Sequence, residues 1–165
     1  MRVTLLLSCF IFVVLFNPGP TSQKATLCTD REKNLFSCSV KRSAKLVSLC
    51  ASADVTKTRG YVQYRFGIPG KVELEYPADK ARSQEKFEYH HYFRAQIDET
   101  EISFSSGGYK YSIFDDYNGE MRPAVSSQGV RVEAPGTGKE STLECQGKAK
   151  ASYGDLDQIL QVREN

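Results

Sequence analysis

From Gly60 onward the chain alternates apolar and polar residues, breaks at a turn, and alternates again. This period of two restricts its fold more than any other feature. Successive side chains of a strand point to opposite faces. GYVQYRFG therefore sets Val62, Tyr64 and Phe66 against Tyr61, Gln63 and Arg65. KVELEYP sets Val72, Leu74 and Tyr76 against Glu73 and Glu75, and the intervening GIPG predicts a hairpin. After a polar break at Asp79–Gln84 come KFEYHHYFRAQI, TEISFS, YKYSIFD, QGVRVEAP and STLECQGK. DDYNGEMRP reads as a turn-rich connection, with Asp115 and Asp116 beside turn residues, and PGTG as the turn between the last two strands. Nine Tyr and nine Phe favour strands further. The expectation is all-β: an antiparallel β-sandwich or small barrel of about eight strands. A short C-terminal helix is predicted in YGDLDQILQV, capped by Asp155, with Leu156, Ile159 and Leu160 on one face.

The N-terminus reads as an export signal. Arg2 is followed by the uncharged apolar run Leu5–Phe16, and Asn17, Pro18, Gly19 and Pro20 then break any helix. The expected signal peptide covers residues 1–22, with cleavage between 19 and 25, and a single β domain covers 26–165. The run is 12 residues long, short of the roughly 20 a spanning helix needs. No later segment is apolar for long enough, so the mature form is expected to have no membrane span. Lipidation at Cys9 is disfavoured, because the apolar run continues past it. The 22 basic and 20 acidic residues become 21 and 20 once Arg2 leaves. A balance this even is no electrostatic footprint for nucleic acid.

Of five Cys, Cys9 leaves with the signal, and Cys28, Cys38, Cys50 and Cys145 remain. An even number in an exported chain predicts two disulfides, and hence a periplasmic or secreted location. LFSCSVKRSAKLVSLCAS reads as a hairpin centred on Ala44, which would place Cys38 opposite Cys50 and leave Cys28 for Cys145. Cys28–Cys38 with Cys50–Cys145 stays open as an alternative.

Motifs for chemistry are sparse. GTGKES, Gly136–Ser141, has Glu133 and Glu140 where a phosphate loop needs Gly and Ser or Thr, and reads as a turn. His90 and His91 are adjacent in a predicted strand, so they point to opposite faces and cannot easily share a metal. No C-x-x-C and no nucleophile elbow occurs. No enzyme, cofactor or metal is expected. Two convergent carboxylates in a cleft, or a His beside a Ser hydroxyl, would be the mark of a hydrolase. Tyr61, Arg65, Tyr89, Tyr92 and Arg94 have the composition of a binding patch. They also suit an ordinary half-buried sheet face, which is the preferred reading.

SFSSGGYKYSIF, Ser103–Phe114, carries the sharpest expectation. Gly107-Gly108 at the centre of a two-residue turn predicts the pairs Ser106/Tyr109, Phe104/Tyr111 and Ile102/Ile113, all on one face. The two deeper pairs would bury, and Ser106 and Tyr109 would project at the lip. Ser-Gly-Gly-Tyr on a hairpin of a small exported disulfide protein resembles the Ser-Gly-x-Tyr loop of bacterial periplasmic lysozyme inhibitors. The longer stretch KLVSLCASADVTKTRGYVQYRFGIPGKVELEYP resembles uncharacterised exported β-proteins of Gram-negative bacteria. The inhibitor resemblance implies a loop that enters the lysozyme cleft, with Ser106 and Tyr109 meeting the groups around its catalytic carboxylates and Gly107 and Gly108 shaping the turn. The expected function is an exported binding protein that inhibits lysozyme by loop insertion. The alternative is an envelope or secreted binding module with another partner and no inhibitory activity.

Overall fold

The computed structural model describes residues 26–163; the expected signal peptide lies outside them. Two sheets pack face to face without closing into a barrel. The first half of the chain forms a meander of β1 (Glu32–Ser39), β2 (Leu46–Ser52), β3 (Val62–Ile68) and β4 (Lys71–Tyr76). A single 3-10 turn, Ser83–Lys86, carries the chain across. The second meander is β5 (Glu88–Arg94), β6 (Ile97–Ser106), β7 (Tyr109–Asn118), β8 (Val125–Glu133) and β9 (Glu140–Glu144). Two two-residue strands then finish the edges. β10 (Lys150–Ala151) returns to β1, and β11 (Gln161–Val162) lies parallel to β5. Strand orders are β10-β1-β2-β3-β4 and β11-β5-β6-β7-β8-β9. The predicted helix is α1 (Leu156–Ile159). Leu156, Ile159 and Leu160 are buried as expected, whereas Asp155 makes no side-chain capping bond.

The core lies between the sheets: Phe36, Val47, Leu49, Val62 and Tyr64 from one, and Tyr89, Ile102, Phe104, Ile113 and Val130 from the other. Alternation alone misplaces two boundaries. KFEYHHYFRAQI is not one strand, because Ala95-Gln96 turn the chain between β5 and β6 with Gln96 at φ 67°. Asp115 and Asp116 are not in a turn but inside β7, where they leave on opposite faces. Asp116 pairs with Arg131, and Asp115 accepts from Tyr153.

The disulfides follow neither expected pairing. The bonds are Cys28–Cys50 and Cys38–Cys145. The reason is register. Val40 N–H donates to Lys45 and Ser43 N–H to Val40, with Arg42 at φ 59°, so the turn centres nearer Arg42 than Ala44. Cys38 then faces Val47. A register shift between Asn34 and Phe36 marks a bulge at Leu35, and beyond it Asn34 faces Cys50. Val47 and Cys50 are an odd number of positions apart, so Cys38 and Cys50 occupy opposite faces and cannot bond. Cys38 points into the core and reaches the second sheet; Cys50 points outward and holds the segment that precedes β1.

Candidate functional site

The hairpin of β6 and β7 has the predicted register throughout: Ser106 pairs with Tyr109, Phe104 with Tyr111, Ile102 with Ile113. Gly107 and Gly108 have φ 59° and 82°, left-handed values that a two-residue hairpin turn requires and that Gly adopts without penalty. The tip is exposed. Tyr109 retains 42% of its surface, Gly107 and Gly108 are open, and Ser106 is half-buried. Neither the Ser106 nor the Tyr109 hydroxyl has a hydrogen-bond partner among the described residues. Both are free to bond outward.

Behind the tip the hairpin is fixed by aromatic packing. Phe104 stacks on Tyr111 at 4.9 Å and on Tyr76 at 4.6 Å, and meets Tyr64 at 4.9 Å and Phe87 at 5.3 Å. Rings at these distances add to the stabilisation from burial itself. The turn between β8 and β9 stands beside the tip: a Cβ on Gly108 would lie 3.5 Å from Pro135. The result is a hydroxyl and a phenol carried at one end of the sandwich, on a hairpin packed from its next rung inward.

The five Tyr and Arg positions do not form one patch. Tyr89 is in the core, Tyr92 is exposed on β5, and Arg94 pairs with Glu120. Tyr61 and Arg65 belong instead to a buried network on the outer face of the first sheet. All five N–H groups of Arg65 are used. Nε donates to Glu75 at 2.9 Å, Nη1 to Glu32 and the Leu27 carbonyl, and Nη2 to Glu32 and Gln63. Tyr61 donates to Glu32 Oε1 at 2.8 Å, the oxygen that also accepts from Arg65 Nη2. Burial alone would raise the Glu32 carboxyl. Hydrogen bonds from Arg65, the Thr29 amide and Tyr61 outweigh it and hold the pKa at about 2. The segment Thr26–Arg31 lies over this network, pinned by Cys28–Cys50. These residues are structural cover, which sequence alternation alone could not distinguish from a binding face.

Of the histidines, His91 bonds Asp98 at 2.8 Å, and no serine hydroxyl bonds either ring among the described residues. No group of three or more His, Cys, Asp or Glu among those residues could hold a metal ion. No helix among them is long and apolar enough to cross a membrane. Comparison of the chain with protein-family models, curated proteins and solved structures finds no match.

Proposed function

We propose that this is an exported inhibitor of lysozyme that acts by inserting the Ser106–Tyr109 tip into the enzyme's cleft. One observation carries the reading: an exposed phenol and a half-buried hydroxyl, neither with a hydrogen-bond partner among the described residues, flank a turn whose next rung packs into a five-ring aromatic cluster. A Ser hydroxyl and a Tyr phenol both donate to carboxylates, and a lysozyme cleft presents two catalytic carboxyl groups. Pre-ordering the tip lowers the entropy lost on binding. The Ser-Gly-x-Tyr resemblance adds the class of partner. The two intramolecular disulfides fit an oxidising compartment outside the cytoplasm.

The test is inhibition of chicken-type, invertebrate-type and goose-type lysozymes on peptidoglycan by the oxidised protein, beside a Ser106→Ala/Tyr109→Ala variant. Inhibition of one class, weakened by about 30-fold or more in the variant, is expected for a pair of hot-spot residues. Inhibition of none of the three, or inhibition untouched by the double substitution, overturns the proposal.

A further inference from the structure

The inner face of the second sheet is only partly covered by the first. Registers across β5–β8 place its side chains in rows. The row Tyr89, Ile102, Ile113 and Val130 is core. The next two rows, further from the tip, are His91, Thr100, Asp115 and Gln128, then Phe93, Asp98, Tyr117 and Ser126. The first sheet does not reach them: Phe93 keeps 72% of its surface and Tyr117 43%. The C-terminal segment borders this shelf instead, and between them lies an open groove of about 810 Å³, lined by Tyr89, His91, Asp98, Thr100, Tyr153 and Asp157 among others. That volume is in the range of small-ligand sites, about 300–1,000 Å³.

Its chemistry is one-sided. Thr100, in the wall of the groove, is more than nine-tenths buried, yet its hydroxyl has no hydrogen-bond partner among the described residues. The hydroxyl itself reaches the open space of the groove and is not among the buried atoms left without a partner, so it is available to donate to or accept from a ligand there. Asp98 takes one bond from His91 and leaves its second oxygen available. Asp157, also in the groove, has no ion-pair partner among the described residues; Asp115, opposite Thr100 on the neighbouring strand, accepts from Tyr153. The groove's one arginine, Arg163, is committed to Glu101. Tyr89 and Tyr153 supply aromatic faces. Burial raises both phenols; beyond it, Asp157 and Asp98 act on Tyr89, and Asp115 on Tyr153. Asp98 and Asp157 thus line one groove, and the phenols, raised by burial, stay neutral beside them.

We propose that this groove binds a small organic cation, with an alkylammonium group seated at Thr100 between Asp98 and Asp157 against the Tyr89 and Tyr153 rings. An ammonium has three donors and no acceptor. Two carboxylates and an available hydroxyl complement it, and tyrosine faces attract it further. An anion meets like charge here, and a neutral polyol leaves the carboxylates without a counter-charge.

The experiment is a titration of the ¹⁵N-labelled, oxidised protein, followed by NMR, with cadaverine and n-butylamine, and with the diol and alcohol of the same chain lengths. The amines should shift the amides of His91, Thr100 and Gly154. Asp98→Asn/Asp157→Asn, one half-buried and one exposed and neither in the core, should weaken amine binding by about tenfold or more. Thr100→Val, of nearly the same shape, tests the hydroxyl; the spectrum of each variant reports whether it is folded. Absence of amine shifts, equal binding of the diol, or amine binding unaltered in the folded Asn variant each overturns the proposal. The Ser106–Tyr109 tip is at the other end of the sheet, so lysozyme inhibition reads out independently.

Discussion

Phe104 and Tyr111 face one another across the β6–β7 ladder with ring planes 4° apart, one rung behind Ser106 and Tyr109. The apolar interior thus ends immediately where the exposed tip begins. Truncating Phe104 to Ala removes the ring that Tyr64, Tyr76, Phe87 and Tyr111 share. A cost of about 3–5 kcal/mol is expected for a large ring lost from a core. Urea denaturation measures it. A loss below about 1 kcal/mol would mean that the cluster does not anchor the hairpin.

The Glu32–Arg65 pair gives a pH signature. The folded carboxyl sits at about 2, below its ordinary 4.5. A depressed carboxyl contributes stability that is present above the unfolded value and withdrawn as the pH falls through the folded one. Stability should therefore decline between about pH 5 and 2. Glu32→Gln should flatten that slope and cost about 3 kcal/mol at neutral pH, because Arg65 keeps only Glu75 as an ionic partner. Denaturation curves at several pH values decide. An unchanged slope in the variant would assign the acid sensitivity to other groups.

The disulfide connectivity is directly checkable. Proteolysis without reduction, followed by mass spectrometry, should yield peptides linked as Cys28–Cys50 and Cys38–Cys145. The sequence separations are 22 and 107, so the chain-entropy model ranks the second bond higher, at about 5 against about 3 kcal/mol. Replacing Cys38 and Cys145 by Ala should lower Tm further than replacing Cys28 and Cys50. The reverse order would show that holding the N-terminal segment over Arg65 matters more than closing the long loop.

Gly107 tests the turn apart from its surroundings. A Cβ there meets nothing within 4 Å, and φ is 59°. Gly107→Ala should therefore cost only the left-handed backbone penalty, about 1–2 kcal/mol. Gly107→Asn should cost less, since Asn tolerates this conformation. Thermal denaturation of the two variants checks the order. Equal losses would mean that the turn changes type to accommodate either residue.

The tip hairpin was legible because the glycines pin the register and a period of two then assigns every side chain. The β1–β2 hairpin was not. Its turn holds no glycine, Arg42 takes the left-handed position, and the bulge at Leu35 leaves no mark in the alternation. A shift of the turn by a fraction of its length was enough to move Cys38 and Cys50 to opposite faces. The polar network was illegible for another reason. Gln63 and Arg65 look solvent-facing by type, yet both are buried beneath a segment that has no period of its own. The shelf beyond the core required knowing where the first sheet stops, which only the packing of the two sheets decides.

The Cys38–Cys145 bond makes the chain from β1 to the end of β9 a closed covalent ring, with the Ser106–Tyr109 tip on its circumference. A protease cutting once in an exposed connection of that ring, such as residues 79–82 or the loop after Asn118, produces two pieces that cannot diffuse apart. Neither cut falls within a strand. A single nick would in this way leave the Ser106–Tyr109 hairpin covalently tied to both pieces' remaining strands.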